Sequence, residues 1–349
     1  MQIKVFDQTN SSEYLKLLTE FKLDLDVFYQ PGFLKVEAKN LKGNFEIFTV
    51  SDLDKNQLFV YPYIKLPCHG RFSNFVDVTS PYGYAGPFCS NRDLFEFSEN
   101  AFLEHMKQEN VVSEFVRYHF IYNEEIFFER EISNELNRTV IVFTLKNEWD
   151  EIWKNHISMN NRNYVNRFEK DGFSLVLTQD IKELDDFITL YYQTMENAEA
   201  SESFFFSKEY FYDLFQELSD RTYIAKVMKD EIVYSSVLFF VSGSIVEPFL
   251  NGRNLNYLKL PSSVPLYINL AKWAQNHNFE ILNMGGGRTH ASDDSLFQFK
   301  KRLSNQVRSF YIGKRIHNKK IYQDIIEDFI KENGQDKYDE VKQRLHFYR

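Results

Sequence analysis

The chain has 349 residues, 43% of them hydrophobic and 26% charged, with a formal net charge of −9. A chain of this length accommodates two cores of about 150 to 180 residues each. The composition excludes a disordered polymer, and the acidic balance excludes a general nucleic-acid coat, which needs a basic face.

No apolar run approaches the ~20 residues that span a bilayer. The opening MQIKVFDQTN has neither the basic nor the apolar region of a secretory signal. A cytoplasmic protein is therefore expected, with the membrane surface left open as a place of work. Cys68 and Cys89 have no metal-ligand spacing and read as reduced thiols, so no metal site is expected. The 35 Phe and 21 Tyr read as core residues standing in for Leu unless they gather in a pocket.

In chain order, Ile3 to Phe6 reads as a strand. Ser11 or Ser12 caps a helix to about Phe21, and Pro31 opens another to Lys39. Phe45 to Val50 and Leu58 to Ile64 form a hairpin across SDLDKNQ. A strand to Val78, the bend SPYGYAGP, a helix over Arg92 to Gln108 and a strand over Glu114 to Phe120 complete the first half. After a strand at Thr139 to Leu145 come helices at Asn147 to Asn155 and Met159 to Lys170, the latter stopped by Gly172.

The second half then runs strand Phe173 to Leu177, helices Ile181 to Asn197 and Ser207 to Leu218, and a hairpin of Tyr223 to Val227 with Val233 to Val241. Strand Ile245 to Leu250, helix Ser263 to Asn276 and strand Phe279 to Met284 follow. Both halves share one order: helices, hairpin, strand, helix, strand. This predicts a mixed α/β protein with two similar domains, 1–145 and 146–315, and a charged helical tail over 316–349. Charge is uneven as well. From Ser295 to Gln323 there are bases and no acids, a stretch that reads as a solvated face or a local receptor for phosphate.

The most informative stretch is ILNMGGGRTHASDDSLFQFKK, residues 281–301. It reads as a strand, a loop over Gly285, Gly286 and Gly287, and a helix opening near Ser292 to Ser295. On that helix Leu296, Phe299 and Leu303 share an apolar arc. Lys300 falls on the flank of the arc, whereas Lys301 and Arg302 point away. Lys300 is thus either a lysine whose stem packs on the core while its amine reaches water, or a partly enclosed functional cation.

The order of elements resembles the GNAT acyltransferase fold, and three motifs resemble its FemABX-like branch. MGGGRTHASDDSLFQFKKRLS is similar to that branch's closing motif. SPYGYAGP is similar to its first-domain signature, with Ala85 in place of a glycine, and NRNYVNRFEKDGF to its Arg-Asn helix. The resemblance covers about residues 25 to 315. It implies two tandem GNAT-like domains around a shared cleft and transfer of an aminoacyl group to an amine of a peptidoglycan or other cell-envelope precursor. It places Lys300 near the transferred acyl group, Arg162 near substrate phosphates, and Tyr82, Gly83 and Tyr84 at the acceptor. No early phosphate-binding lysine is in register, because FYQPGFLKVEA offers only Lys35, and the helical arm of some tRNA-using members is not evident.

Acyl transfer to an amine needs a donor for the tetrahedral oxyanion and a proton acceptor. Lys300 suits the first. Asp293 and Asp294 are candidate bases, or acids that favour a helix N-terminus. Aminoacyl-tRNA is the expected donor, with no tightly bound cofactor. Acyl-CoA is the alternative, in an N-acetyltransferase acting on an amino sugar, but NGRNLNYLKLPSSV lacks the glycine pair that holds a CoA pyrophosphate. The acceptor is expected to be an envelope or nucleotide-sugar precursor. A glycan- or peptide-binding protein without activity is the reading from another class.

Overall fold

A computed structural model describes residues 1–124, 126–289, 291 and 293–349. The first half contains β1 (Gln2–Phe6), α1 (Ser11–Glu20), α2 (Pro31–Asn40), β2 (Asn44–Asp52), β3 (Gln57–Pro67), β4 (Val76–Thr79), β5 (Phe88–Cys89), α3 (Arg92–Gln108) and β6 (Val111–Arg117). Next come β7 (Ile132–Thr144), α4 (Trp149–Asn155), α5 (Met159–Lys170), β8 (Ser174–Thr178), α6 (Leu184–Asn197) and α7 (Lys208–Glu217). The rest is β9 (Thr222–Lys229), β10 (Ile232–Ser242), β11 (Ile245–Arg253), α8 (Ser263–Asn276), β12 (Ile281–Gly285), α9 (Ser295–Leu303), β13 (Gln306–Ile316), α10 (Lys319–Asn333) and α11 (Gln335–Val341). The mixed α/β class expected from the element order is what the chain adopts.

Two compact units result: Met1–Leu23, Phe28–Asn137 and Ser309–Arg349 in one, Asp24–Val27 and Arg138–Arg308 in the other. In the first unit β2, β3 and β4 run antiparallel, α3 crosses over, and β6 returns parallel to β4. In the second, β9, β10 and β11 run antiparallel, α8 crosses over, and β12 returns parallel to β11. In each unit one further strand pairs antiparallel with the returning one: β13 with β6 in the first unit, β7 with β12 in the second.

These added strands explain why the units interleave along the chain, whereas element order suggests cuts after 145 and 315. β13 is an unexpected strand, since Arg308, Lys314 and Arg315 make it look solvated. Its Arg315 is instead fully buried, held by Glu99 at 2.6 Å and Glu114 at 3.0 Å. β6 also starts three residues before the expected position, at Val111.

Aromatic rings fill the first core, where Phe48, Phe59, Tyr61, Phe102 and Phe128 are buried together. Phe102 and Phe128 stack at 5.7 Å. The tail helices pack on the same unit, with Ile325 and Phe347 buried beside Val112 and Cys68. The second core gathers Phe143, Phe168, Phe239, Leu270 and Leu282, and α8 is apolar because it lies across that sheet. Among the described residues, no helix is long and apolar enough to cross a membrane.

Candidate functional site

In the second unit β12 is buried through Met284, and Gly285 ends it at φ +69°, a left-handed conformation that favours glycine. The next two glycines are needed for space. A Cβ on Gly286 would lie 2.7 Å from Cδ of Arg138, and one on Gly287 would lie 2.5 Å from Oδ1 of Asp294. The loop is therefore clasped on both sides.

Asp294 is the cap of α9. Its Oδ1 accepts the Phe297 N–H at 2.9 Å, and its Oδ2 accepts the N–H groups of Arg288 and Thr289 at 3.1 and 3.0 Å and the Thr289 hydroxyl at 3.2 Å. Burial alone would raise its carboxyl, but these donors outweigh it and hold the group below the usual carboxylate range. A carboxylate so stabilised is a weak base, which favours the capping role over the catalytic one. Asp293 is exposed. The helix begins at Ser295, within the expected opening of Ser292 to Ser295, of which Ser292 lies outside the described residues.

Lys300 projects from α9 onto the glycine loop. Leu303 of the same helix is buried, Leu296 and Phe299 are half-buried, and Lys301 and Arg302 are exposed, as the helical spacing requires. The Lys300 amine donates to the Gly286 carbonyl at 2.8 Å, and Arg138 donates to the next carbonyl, Gly287, also at 2.8 Å. Lys300 keeps part of its stem in solvent while its amine end is enclosed. Burial lowers that amine to about 8, with Arg138 acting in the same direction and Glu247 and Asp294 opposing.

Glu247 of β11 is the carboxyl whose charge acts most strongly on this lysine, and the motifs pass it over. It is 4% exposed, and both its oxygens accept from the Asn283 amide, at 3.1 and 2.8 Å. Asn283 in turn accepts the Gly285 N–H at 2.9 Å, so one side chain ties the buried acid to the glycine loop. Burial pushes Glu247 well above the usual range, and the neighbouring Asp26 adds to this; Asn283 and Lys300 pull the other way. Asp26 is fully buried and accepts the Ser242 hydroxyl at 2.9 Å. The signal for this cluster was in the sequence: Glu247 and Asn283 are polar residues inside apolar strand runs, where a buried polar group needs a purpose or a partner.

The other candidate residues have partners of their own. Arg162, on α5, gives one guanidinium nitrogen to the carbonyls of Trp153, Lys154 and Ile157, at 2.9, 2.7 and 3.2 Å, and so closes the end of α4. Tyr82, Gly83 and Tyr84 belong to the first unit. The Tyr82 N–H is held by the buried Glu37 at 2.9 Å, and the Arg117 guanidinium lies 6.0 Å from the Tyr82 ring centre. Gly83 has φ +101°, with Phe28 against the place a Cβ would occupy. Tyr84 packs edge-on against Phe28, Phe120 and Phe310 at 5.7, 5.1 and 4.8 Å. The three half-buried residues thus form one turn fixed from behind.

The chain resembles the solved structure of FemX, with TM-score 0.71, 13% identity, and coverage of 93% of this chain and 99% of that one. It has the FemX fold. L-PGS from Bacillus licheniformis matches with TM-score 0.55 and 16% identity over 88% of this chain and 92% of that one. A domain from Agrobacterium fabrum, described as the C-terminal part of a lysylphosphatidylglycerol synthetase, matches with TM-score 0.54 and 12% identity over 87% and 92%. No family model and no curated protein matches the sequence. The FemX fold thus accounts for the duplicated element order, and the FemABX-like resemblance read from three motifs holds at the level of fold.

Proposed function

We propose that this protein is an acyltransferase that moves an aminoacyl group from an ester donor, aminoacyl-tRNA, to an amine of a cell-envelope precursor. The observation that carries the proposal is the enclosed Lys300 amine on the glycine loop, at the position where the FemABX-like motif puts a lysine beside the acyl group. The FemX fold supports it, and the name of the Agrobacterium neighbour also couples an aminoacyl group to an envelope component.

In the reaction, the acceptor nitrogen attacks the ester carbonyl, the C–N bond forms, and the C–O bond breaks to release the donor hydroxyl. The carbonyl oxygen carries negative charge in between. An ammonium has three N–H donors, and among the described residues Lys300 uses one, on Gly286. The remaining donors suit an oxyanion, an interaction worth roughly 3 to 4 kcal/mol of barrier in acyl transfers. Glu247 in its ionised form is the stronger base, because burial raises its carboxyl whereas capping holds Asp294 low, so it is better matched to taking the amine's proton. The proton then passes to the leaving oxygen.

The test is turnover of Lys300→Met with an aminoacyl-tRNA donor and a muropeptide acceptor, against Lys301→Met. Lys300→Met should fold and lose about a hundredfold or more in kcat, and Lys301→Met should change neither. Equal small effects at both positions would remove Lys300 from the mechanism. A saturable rise in melting temperature with acetyl-CoA would replace the donor: a ligand at 100 times its Kd adds ~2.7 kcal/mol.

A further inference from the structure

A second concavity lies on the second unit, where β11 leads into α8. It is an open concavity of about 660 Å³, with Phe173, Tyr234, Asn256, Tyr257, Leu258 and Lys259 among its lining residues. That volume falls within the range of small-molecule clefts. None of the residues discussed around Lys300 lines it.

The rings form a notch. Tyr234 and Tyr257 stand 4.7 Å apart at 53°, and Phe173 meets Tyr234 edge-on at 5.0 Å. Phe173 is backed by Phe168, stacked at 4.0 Å, so its position is fixed. Polar bonds hold the wall in addition to this packing. Arg253 donates to the carbonyls of Leu258 and Leu260 at 3.1 and 3.2 Å. Asn254 donates to Val233 O at 3.0 Å and accepts the Asn256 N–H at 3.1 Å. Tyr257 and Leu258 nevertheless remain 37% and 41% exposed. A braced wall that leaves a tyrosine and a leucine in water is arranged for a ligand, because bracing removes the ordering cost of binding.

Charge narrows the class. Lys259 lines the cleft with no described carboxylate paired to it, and the Lys229 ammonium lies 5.2 Å from the Phe173 ring centre. Asp230, in the exposed turn after Lys229, is the acid whose field reaches Tyr234. Among the lining residues there is no carboxylate, so the charge at the cleft is positive. Rings with lysines at their rim suit a planar ring that carries negative charge. We propose that this cleft binds a planar aromatic ring bearing an anionic group, with Tyr234 and Tyr257 holding the ring and Lys259 the anion.

Two sources share that chemistry, a nucleotide and a simple aryl phosphate, and calorimetric titration separates them. The probes are AMP, UMP and phenyl phosphate, with adenosine and inorganic phosphate as the halves. At least one ring-bearing phosphate should bind saturably, and each half at least tenfold more weakly. Binding of phenyl phosphate equal to that of AMP makes ring plus anion sufficient, and binding of the nucleotides alone assigns a nucleotide.

Tyr257→Ala and Lys259→Ala are exposed changes that leave the core intact, and each should weaken binding at least tenfold. Lys300→Met should leave it unchanged, so this result does not depend on the acyl-transfer reading. No saturable binding by any ring-bearing phosphate, adenosine binding as tightly as AMP, or unchanged affinity in Tyr257→Ala would overturn the assignment.

Discussion

The enclosure of Lys300 can be measured without knowing the substrate. A lysine in the unfolded chain titrates near 10.5, and burial brings this one to about 8. Between those values the unfolded state binds more protons than the folded one, so stability rises with pH. Below about 8 both states hold the proton, and the cost of burying the charge is present in full. It is relieved as pH climbs toward 10.5. At 1.36 kcal/mol per pH unit, the whole relief is about 3 kcal/mol, and electrostatic coupling to Glu247 reduces it to the order of 1 to 3.

The perturbation is Lys300→Met, and the assay is urea denaturation of both proteins at pH 7, 8, 9 and 10. At any single pH the difference between them mixes three effects: the lost bond to Gly286, a net worth of about 1 kcal/mol, changed packing, and relief of burial. The first two do not titrate, so only the slope isolates the amine. Wild type should gain at least 1 kcal/mol on the mutant between pH 7 and 10. Glu247→Gln removes the largest influence that favours the charged amine, so in that background the gain should begin below pH 8. A difference flat with pH would refute the enclosure, and with it the argument that this amine differs from a snorkelling surface lysine.

Two further perturbations test the scaffold. Gly83→Ala places a Cβ against Phe28 at φ +101°, so it should cost about 3 kcal/mol or more in urea denaturation; a loss under 1 kcal/mol would mean that the turn is not fixed from behind. Arg315→Leu strands Glu99 and Glu114 in the core and should cost about 3 to 5 kcal/mol. Lys314→Leu, which loses only the exposed partner Glu135, should stay within about 0.5 kcal/mol. Equal losses at 314 and 315 would contradict the burial of Arg315.

Arg315 also shows where the sequence stops being legible. Periodicity, caps and turn residues are local signals, and they locate α3, α5 and α8 to within a residue, because each helix carries its own apolar stripe and its own stop. A charged residue's partner is not local. Glu99 and Glu114 lie 216 and 201 residues before Arg315, so nothing near β13 reveals that its arginine is neutralised, and the strand reads as a solvated basic stretch. Glu247 failed to stand out for a related reason. It sits two residues into a strand whose neighbours are apolar, and its partner Asn283 is brought beside it only by the parallel pairing of β11 with β12.

The glycine loop and Lys300, by contrast, were readable because strand, loop, cap and lysine all lie within 21 consecutive residues, 281–301. Local sequence thus located the cation of the candidate site, while the pairing of the buried acid with Asn283 emerged only from topology. An acid placed this way is insulated from solvent by the sheet itself. Burial and then Asp26 raise its carboxyl while Asn283 and Lys300 oppose, so it loses its proton at higher pH than an ordinary carboxylate and, once ionised, is the stronger base that the proposed acyl transfer asks for.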